Sequence, residues 1–187
     1  TTNRKLSVPR VKGTRWGFYV DSDHAGDRDN GDTRSRTGIM LLINGMEFHW
    51  RSTKQPSTAM PSAAAEIVAL SDCVKDVNLR MWIAEEAGIP IKWPVEIQVD
   101  NKAAVSFQNR MNPQTKMKGI FDMRKGWLKE LHDKKRFKVI KVETETNLAD
   151  PLTKPVPPYV RKRLDTEHSR ILALIVSTFR GQIRVST

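Results

Sequence analysis

Two hydrophobic segments of the chain end in an aspartate: Trp16-Gly-Phe-Tyr-Val-Asp21 and Val95-Glu-Ile-Gln-Val-Asp100. Two further acids stand among apolar neighbours. Glu66 lies in Ala65-Glu-Ile-Val-Ala-Leu70, and Asp150 lies in Leu148-Ala-Asp-Pro-Leu152. An acid in such company needs a reason, because burying an unpaired charge is expensive. Each carboxylate could be paired with one of the many Lys and Arg residues or cap a helix. Alternatively, the four converge around divalent cations, and hard oxygen ligands of this type suit magnesium or manganese. Spacing alone leaves both explanations open.

The elements that must carry these acids can be read from the pattern. Trp16 to Asp21 reads as a strand of aromatic and β-branched residues, followed by a polar loop from Ser22 to Arg36 that includes Asp23, His24 and Asp27. Thr37–Ile43 and Met46–Ser52 read as a hairpin around Asn44-Gly45, since both turn residues accept positive φ. Pro56 to Pro61 breaks the chain, and Ser62 can cap a helix with apolar positions Ile67, Leu70, Val74 and Val77 at helical spacing. A second helical pattern, Leu79 to Ala87, stops at Gly88 and Pro90. Val95–Asp100 alternates as a strand, Asn101–Gln108 reads as a short helix, Asp122–Lys135 as a basic amphipathic helix and Phe137–Val142 as the fifth strand. Leu148 to Leu152 is expected to start another helix, interrupted by the prolines at 151, 155, 157 and 158, and a terminal helix to begin near Tyr159. Strands interleaved with helices indicate an α/β domain whose mixed sheet takes its antiparallel part from the hairpin. In such a sheet, ligands gather at the ends of neighbouring strands.

Composition excludes several classes. The chain has 187 residues, 39% hydrophobic and 28% charged, with ten Gly and ten Pro. That composition is unlike collagen, a coiled coil or a disordered chain. The single cysteine, Cys73, excludes an internal disulfide framework and a multi-cysteine zinc site. The apolar run Ile171 to Val176 falls far short of the roughly 18 residues that a membrane span requires. The first residues carry no signal-peptide pattern and no initiator Met, so the chain is expected to be a fragment.

The formal net charge is +11, unevenly spread. Residues 1–15 form a basic extension without acids, and residues 157–187 form a second basic tail. Between them lies a domain over 16–156, whose body from 16 to 150 is nearly neutral, with twenty basic against nineteen acidic residues, and ten of those basic residues fall in a stripe between Lys116 and Lys141. A concentrated basic stripe fits a polyanion, through phosphate contacts and counterion release. A solvated helix face would look the same by charge alone.

In order along the chain, Val20-Asp-Ser-Asp-His-Ala-Gly-Asp27, Lys54-Gln55-Pro56, Ala65-Glu-Ile-Val-Ala-Leu70, Asp100-Asn-Lys-Ala-Ala104 and Asn147-Leu-Ala-Asp-Pro-Leu-Thr-Lys-Pro155 resemble the ribonuclease H domain of copia-type LTR-retrotransposon polyproteins. The resemblance covers roughly residues 16–165. It implies a ribonuclease H-like α/β fold, with a five-stranded mixed sheet flanked by helices. It also implies an Asp-Glu-Asp-Asp set of catalytic metal ligands, which fall here on Asp21, Glu66, Asp100 and Asp150. These would hold two Mg2+ ions, with Mn2+ a possible substitute, for hydrolysis of the RNA strand of an RNA–DNA hybrid by attack of an activated water. Such an enzyme reads hybrid shape and 2′-hydroxyls, so little sequence preference is expected. Lys116, Lys118, Arg124, Lys125 and Lys129 are the candidate phosphate-binding residues, and a reverse transcriptase domain of the same polyprotein is a candidate partner. An active element would work in a cytoplasmic virus-like particle.

Some positions depart from the family pattern. An acid common two residues before the catalytic Glu is Ala64 here. The stretch Ile120-Phe-Asp-Met-Arg-Lys-Gly-Trp-Leu-Lys-Glu130 lacks the two histidines that relatives carry and places Gly126 in a helix, and the loop from Glu143 to Ala149 has no histidine. These changes, with the basic tail, keep a second reading open: a domesticated, nuclear or secreted binding module on the same fold with an idle site.

Overall fold

A computed structural model describes residues 13–23, 34–58, 62–100 and 120–154. Five strands, β1 (Trp16–Asp23), β2 (Arg34–Ile43), β3 (Met46–Thr58), β4 (Val95–Val99) and β5 (Phe137–Lys141), form one sheet in the order β3-β2-β1-β4-β5. The first three are antiparallel, while β4 and β5 run parallel to β1. This is the expected mixed sheet of a ribonuclease H-like α/β fold. The β2–β3 turn sits at Asn44 and Gly45, with φ of 54° and 78°. These are the two positive values that the Asn-Gly pair supplies and that match the twist of a hairpin.

Among the described residues two helices interleave with the strands, α1 (Ser62–Glu86) after β3 and α2 (Ile120–Asp133) between β4 and β5. The expected break before Leu79 is absent. Nothing between Val77 and Leu79 interrupts helical hydrogen bonding, so the two expected helices are one of 25 residues. It ends where expected, at Gly88 with φ of 72°. The Gly88 N–H bonds the Glu85 carbonyl at 3.0 Å and the Ile89 N–H bonds the Ala84 carbonyl at 2.8 Å, the paired bonds of a Schellman cap. β3 continues past the expected Ser52 and through Pro56. It is an edge strand, where a missing N–H costs no ladder bond. The expected helix at Leu148–Leu152 is instead a pair of single 3-10 turns, Thr144–Thr146 and Asp150–Leu152. Pro151 cannot donate to a longer helix, though it is tolerated in a first turn.

Alternation along β1 and β2 divides the core in two. Phe18, Val20, Ile39 and Leu41 face α1 and α2, packing with Leu70, Val74, Met81 and Leu128. Met40 and Leu42 face the other way and meet Leu148 and Leu152, with Tyr19 against them. The segment around 144–153 therefore covers the sheet face opposite the helices. No helix among the described residues is long and apolar enough to cross a membrane. The expected helices at Asn101–Gln108 and Tyr159 onward, the loop with His24 and Asp27, and nearly all of both basic extensions lie outside the described residues.

Candidate active site

The sheet register brings the first two aspartates together. β1 pairs in parallel with β4 through Phe18 opposite Ile97 and Tyr19 opposite Gln98. Three residues further along each strand, Asp21 and Asp100 emerge at the same sheet edge. Asp21 pairs across β2 with Gly38, so both share the face covered by the 144–153 segment. That segment delivers Asp150. Carboxylate oxygens of Asp21, Asp100 and Asp150 all lie within 4.8 Å of one another.

Hydrogen bonds, chiefly from neutral side chains, fix the segment that carries the third acid. The Asn147 side-chain amide donates to the Val20 carbonyl at 3.2 Å, and its oxygen accepts from the Ala149 N–H at 3.1 Å. The Ser52 hydroxyl donates to the Leu152 carbonyl at 2.6 Å and accepts from Arg36 at 2.9 Å. The Thr153 hydroxyl donates to Asp21 itself. Gly38 lets this segment sit flush on β2. A Cβ there would fall 2.7 Å from the Ala149 carbonyl oxygen, 2.8 Å from Thr153 Cγ2 and 3.0 Å from Leu152 Cβ.

Glu66 arrives from the opposite face, on the first turns of α1. It lines one cleft with Asp21, Ser22, Val99 and Asp100, but it is not within the 4.8 Å grouping of the three aspartates. Its turn is anchored by Gln55, whose amide donates to the Thr37 hydroxyl at 3.0 Å and to the Ala65 carbonyl at 2.9 Å. The four acids therefore come to one edge of the sheet, three as a cluster and one across the cleft.

The electrostatics separate this cluster from ordinary ion pairing. Burial pushes the Asp21 carboxyl up to about 6, with the neighbouring charges of Asp100 and Asp150 adding to the rise against the Thr153 hydrogen bond and Lys154. Asp150 is raised as well, first by burial, although the Lys154 ammonium lies 2.5 Å from it. Asp76, on α1, behaves in the opposite way. Burial works against its charge, but the His49 imidazole 3.6 Å away and the Arg51 and Arg80 guanidiniums hold it below the usual carboxylate range. Clustered oxygens that the fold leaves short of positive charge form the donor set that a hard divalent cation takes.

The basic residues divide. Lys116 and Lys118 lie outside the described residues. Arg124 turns inward to α1 and donates to Asp72 at 2.7 Å and to the Ser71 hydroxyl. Lys129 pairs with Asp133 one turn on at 2.6 Å, on an exposed face. Lys125 lies on the same helix. Cys73 is fully buried, as an inert core thiol would be, and burial pushes its ionisation up.

Sequence reasoning assigned no role to Gly38, Ser52, Gln55, Asn147, Thr153 or Lys154. Gln55, Asn147, Thr153 and Lys154 fall inside the segments that carry the family resemblance, and that was the signal available. Gly38 and Ser52 gave none, because their partners lie about 100 residues away.

No family model matches the chain. A stretch of 151 residues is 32% identical to a retrovirus-related Pol polyprotein from transposon TNT 1-94 of Nicotiana tabacum, covering 81% of this chain and 11% of that protein. The Pol polyprotein from transposon RE2 of Arabidopsis thaliana is 28% identical over 138 residues, covering 74% and 9%. The transposon Ty1-JR1 Gag-Pol polyprotein of Saccharomyces cerevisiae is 27% identical over 126 residues, covering 66% and 7%. The chain thus spans about a tenth or less of these relatives. Among solved structures, LC11-RNase H1 isolated from compost superposes with a TM-score of 0.54 at 16% identity, over 74% of this chain and 92% of that one. The same enzyme in complex with an RNA/DNA hybrid gives 0.52 at 17%, over 74% and 94%.

Proposed function

Because the chain is a ribonuclease H-fold homologue of a segment of retrovirus-related Pol polyproteins from plant and yeast transposons, we propose that it is the ribonuclease H domain of a copia-type retroelement. In this reading it cleaves the RNA strand of RNA–DNA hybrids, beside a reverse transcriptase in the same polyprotein and within the element's cytoplasmic particle. The observation that carries it is the cluster of Asp21, Asp100 and Asp150 at the edge where parallel strands end.

Asp21, Asp100 and Asp150 would hold Mg2+, or Mn2+ in its place, and Glu66 faces the same cleft from α1. Two such ions, when bound, would supply a nucleophile from water at neutral pH and stabilise the leaving 3′ oxygen. The chain's own residues supply the frame. Thr153 fixes one orientation of the Asp21 carboxylate, and Asn147 and Ser52 tie the Asp150 segment to β1 and β3. The hybrid's backbone would follow the basic stripe, with Lys116, Lys118, Lys125 and Lys129 on phosphates. The exposed Lys129–Asp133 pair is worth little in water and exchanges readily for a phosphate. Arg124, engaged with Asp72, serves the scaffold.

The test is cleavage of a labelled RNA–DNA hybrid by purified protein with and without Mg2+, beside Asp100→Asn. Magnesium-dependent cutting by the parent and loss of orders of magnitude in the variant, with its fold intact, are the expected results. Hybrid binding without cleavage by the parent would instead favour the idle binding module.

A further inference from the structure

Lys154 is the residue of the site whose position the proposed chemistry does not yet explain. It follows Thr153, whose single hydroxyl proton is shared between the Asp21 carboxylate and the Asp150 carbonyl 2.9 Å away. Its backbone is thereby fixed at the mouth of the aspartate cluster. Its ammonium lies 2.5 Å from Asp150 Oδ1. The two partners differ in freedom. The Asp150 side chain is 19% exposed and the Lys154 side chain 45%, so the ammonium can leave for water on its flexible stem while the carboxylate stays.

We propose that Lys154 is the fold's own counter-cation for the aspartate cluster, and that loading of a divalent ion is an exchange in which the ammonium gives up Asp150. The inference rests on the cluster being the divalent-ion site. An ammonium and a divalent cation at one carboxylate repel each other, so the two occupancies exclude one another. The internal pair keeps three close carboxylates tolerable before loading. It also weakens apparent ion affinity, because the competent arrangement has lost its internal partner.

The experiment is calorimetric titration of Mg2+ into the parent, Lys154→Gln and Lys154→Arg near neutral pH, with Asp100→Asn as the control that assigns the heat to the cluster. Lys154→Gln is expected to bind about tenfold more tightly than the parent, and Lys154→Arg close to the parent. In thermal melts, Lys154→Gln should lose stability in EDTA and regain the parent value at saturating Mg2+. A structural lysine would lower both alike. Side-chain 15N spectra read the exchange itself. An ion-paired ammonium resonance missing from Lys154→Gln should be present in EDTA and vanish with Mg2+. Equal affinities, equal melting deficits in both conditions, or persistence of that resonance at saturation would overturn the exchange. Absence of Mg2+ binding by both parent and Lys154→Gln would instead overturn the divalent-ion site itself.

Discussion

Gly38→Ala is the substitution that most directly asks whether the Asp150 segment must sit flush on the sheet. The added Cβ would lie 2.7 Å from a backbone oxygen, 2.8 Å from Thr153 Cγ2 and 3.0 Å from Leu152 Cβ. Two of these neighbours are close to the main chain and cannot swing aside. If the core yields in place, overpacking costs about 1–3 kcal/mol. If the segment lifts instead, Leu152 loses burial worth about 2 kcal/mol and the Ser52–Leu152 hydrogen bond a further ~1 kcal/mol. The two routes together bracket a loss of about 1–3 kcal/mol, measurable by urea unfolding. Lifting also displaces Asp150 and breaks the Thr153–Asp21 bond, so cleavage should fall at least about tenfold, since a shift near 1 Å at a reacting centre costs as much or more. Gly17→Ala is the control: its Cβ would meet Tyr19 at 3.4 Å and Leu42 at 3.5 Å, close to ordinary contact. Wild-type stability and activity in Gly38→Ala would refute the requirement for close approach.

Other outcomes follow from the same geometry. Asp21 titrates near 6 in the fold against an ordinary 3.8, so the ion-free fold favours its neutral form. Its contribution is full below about pH 4 and lost as pH rises through 6, and Asp21→Asn in EDTA should remove that decline and add at most about 3 kcal/mol at pH 7. Unfolding curves from pH 4 to 8 check this, and a parent no less stable at pH 7 relative to the variant would contradict it. Gly126 lies inside α2 with open space where a Cβ would sit, so Gly126→Ala should stabilise by about 1 kcal/mol in thermal or urea unfolding. Reversing charge at Lys125 and Lys129 should weaken hybrid binding about tenfold at moderate salt and flatten the salt dependence, with turnover at saturation nearly unchanged. Binding measured across a salt series checks it.

What was legible in the sequence was local. Asn44-Gly45 specifies its turn by conformation alone, and the hydrophobic runs ending in Asp21 and Asp100 announce both strand and chemistry. The Leu79 boundary was misplaced because hydrophobic spacing marks faces, whereas ending a helix takes a breaker such as Gly88. At 148–152 an apolar pattern cannot separate a short 3-10 turn from the start of a helix, and Pro151 is tolerated in the first turn of either. Charge counting could not reveal that α1 presents Asp72 to Arg124, because that pair spans 52 residues. Gly38 shows the same limit. Its need for a missing Cβ exists only once the chain returns at Ala149 to Thr153.

The contrast between two acidic groups in one small domain shows where function concentrates. Asp72 and Asp76 tie α1 to its neighbours through Arg51 and His49 on β3, Arg80 on α1 and Arg124 on α2, and their charges are answered within the fold. At the sheet edge the segment carrying Asp150 is held chiefly by neutral groups: an asparagine amide, serine and threonine hydroxyls, and a glycine contact. Neutral fixings position the carboxylates without cancelling their charge. Burial first, and then the neighbouring carboxylates, raise the ionisation of Asp21 and Asp150, and one half-exposed lysine offsets it in part. A fold needing only stability would gain by placing further cations there, as it does at Asp76. Acids held rigidly, close together and short of positive charge are poised for charge that arrives from outside.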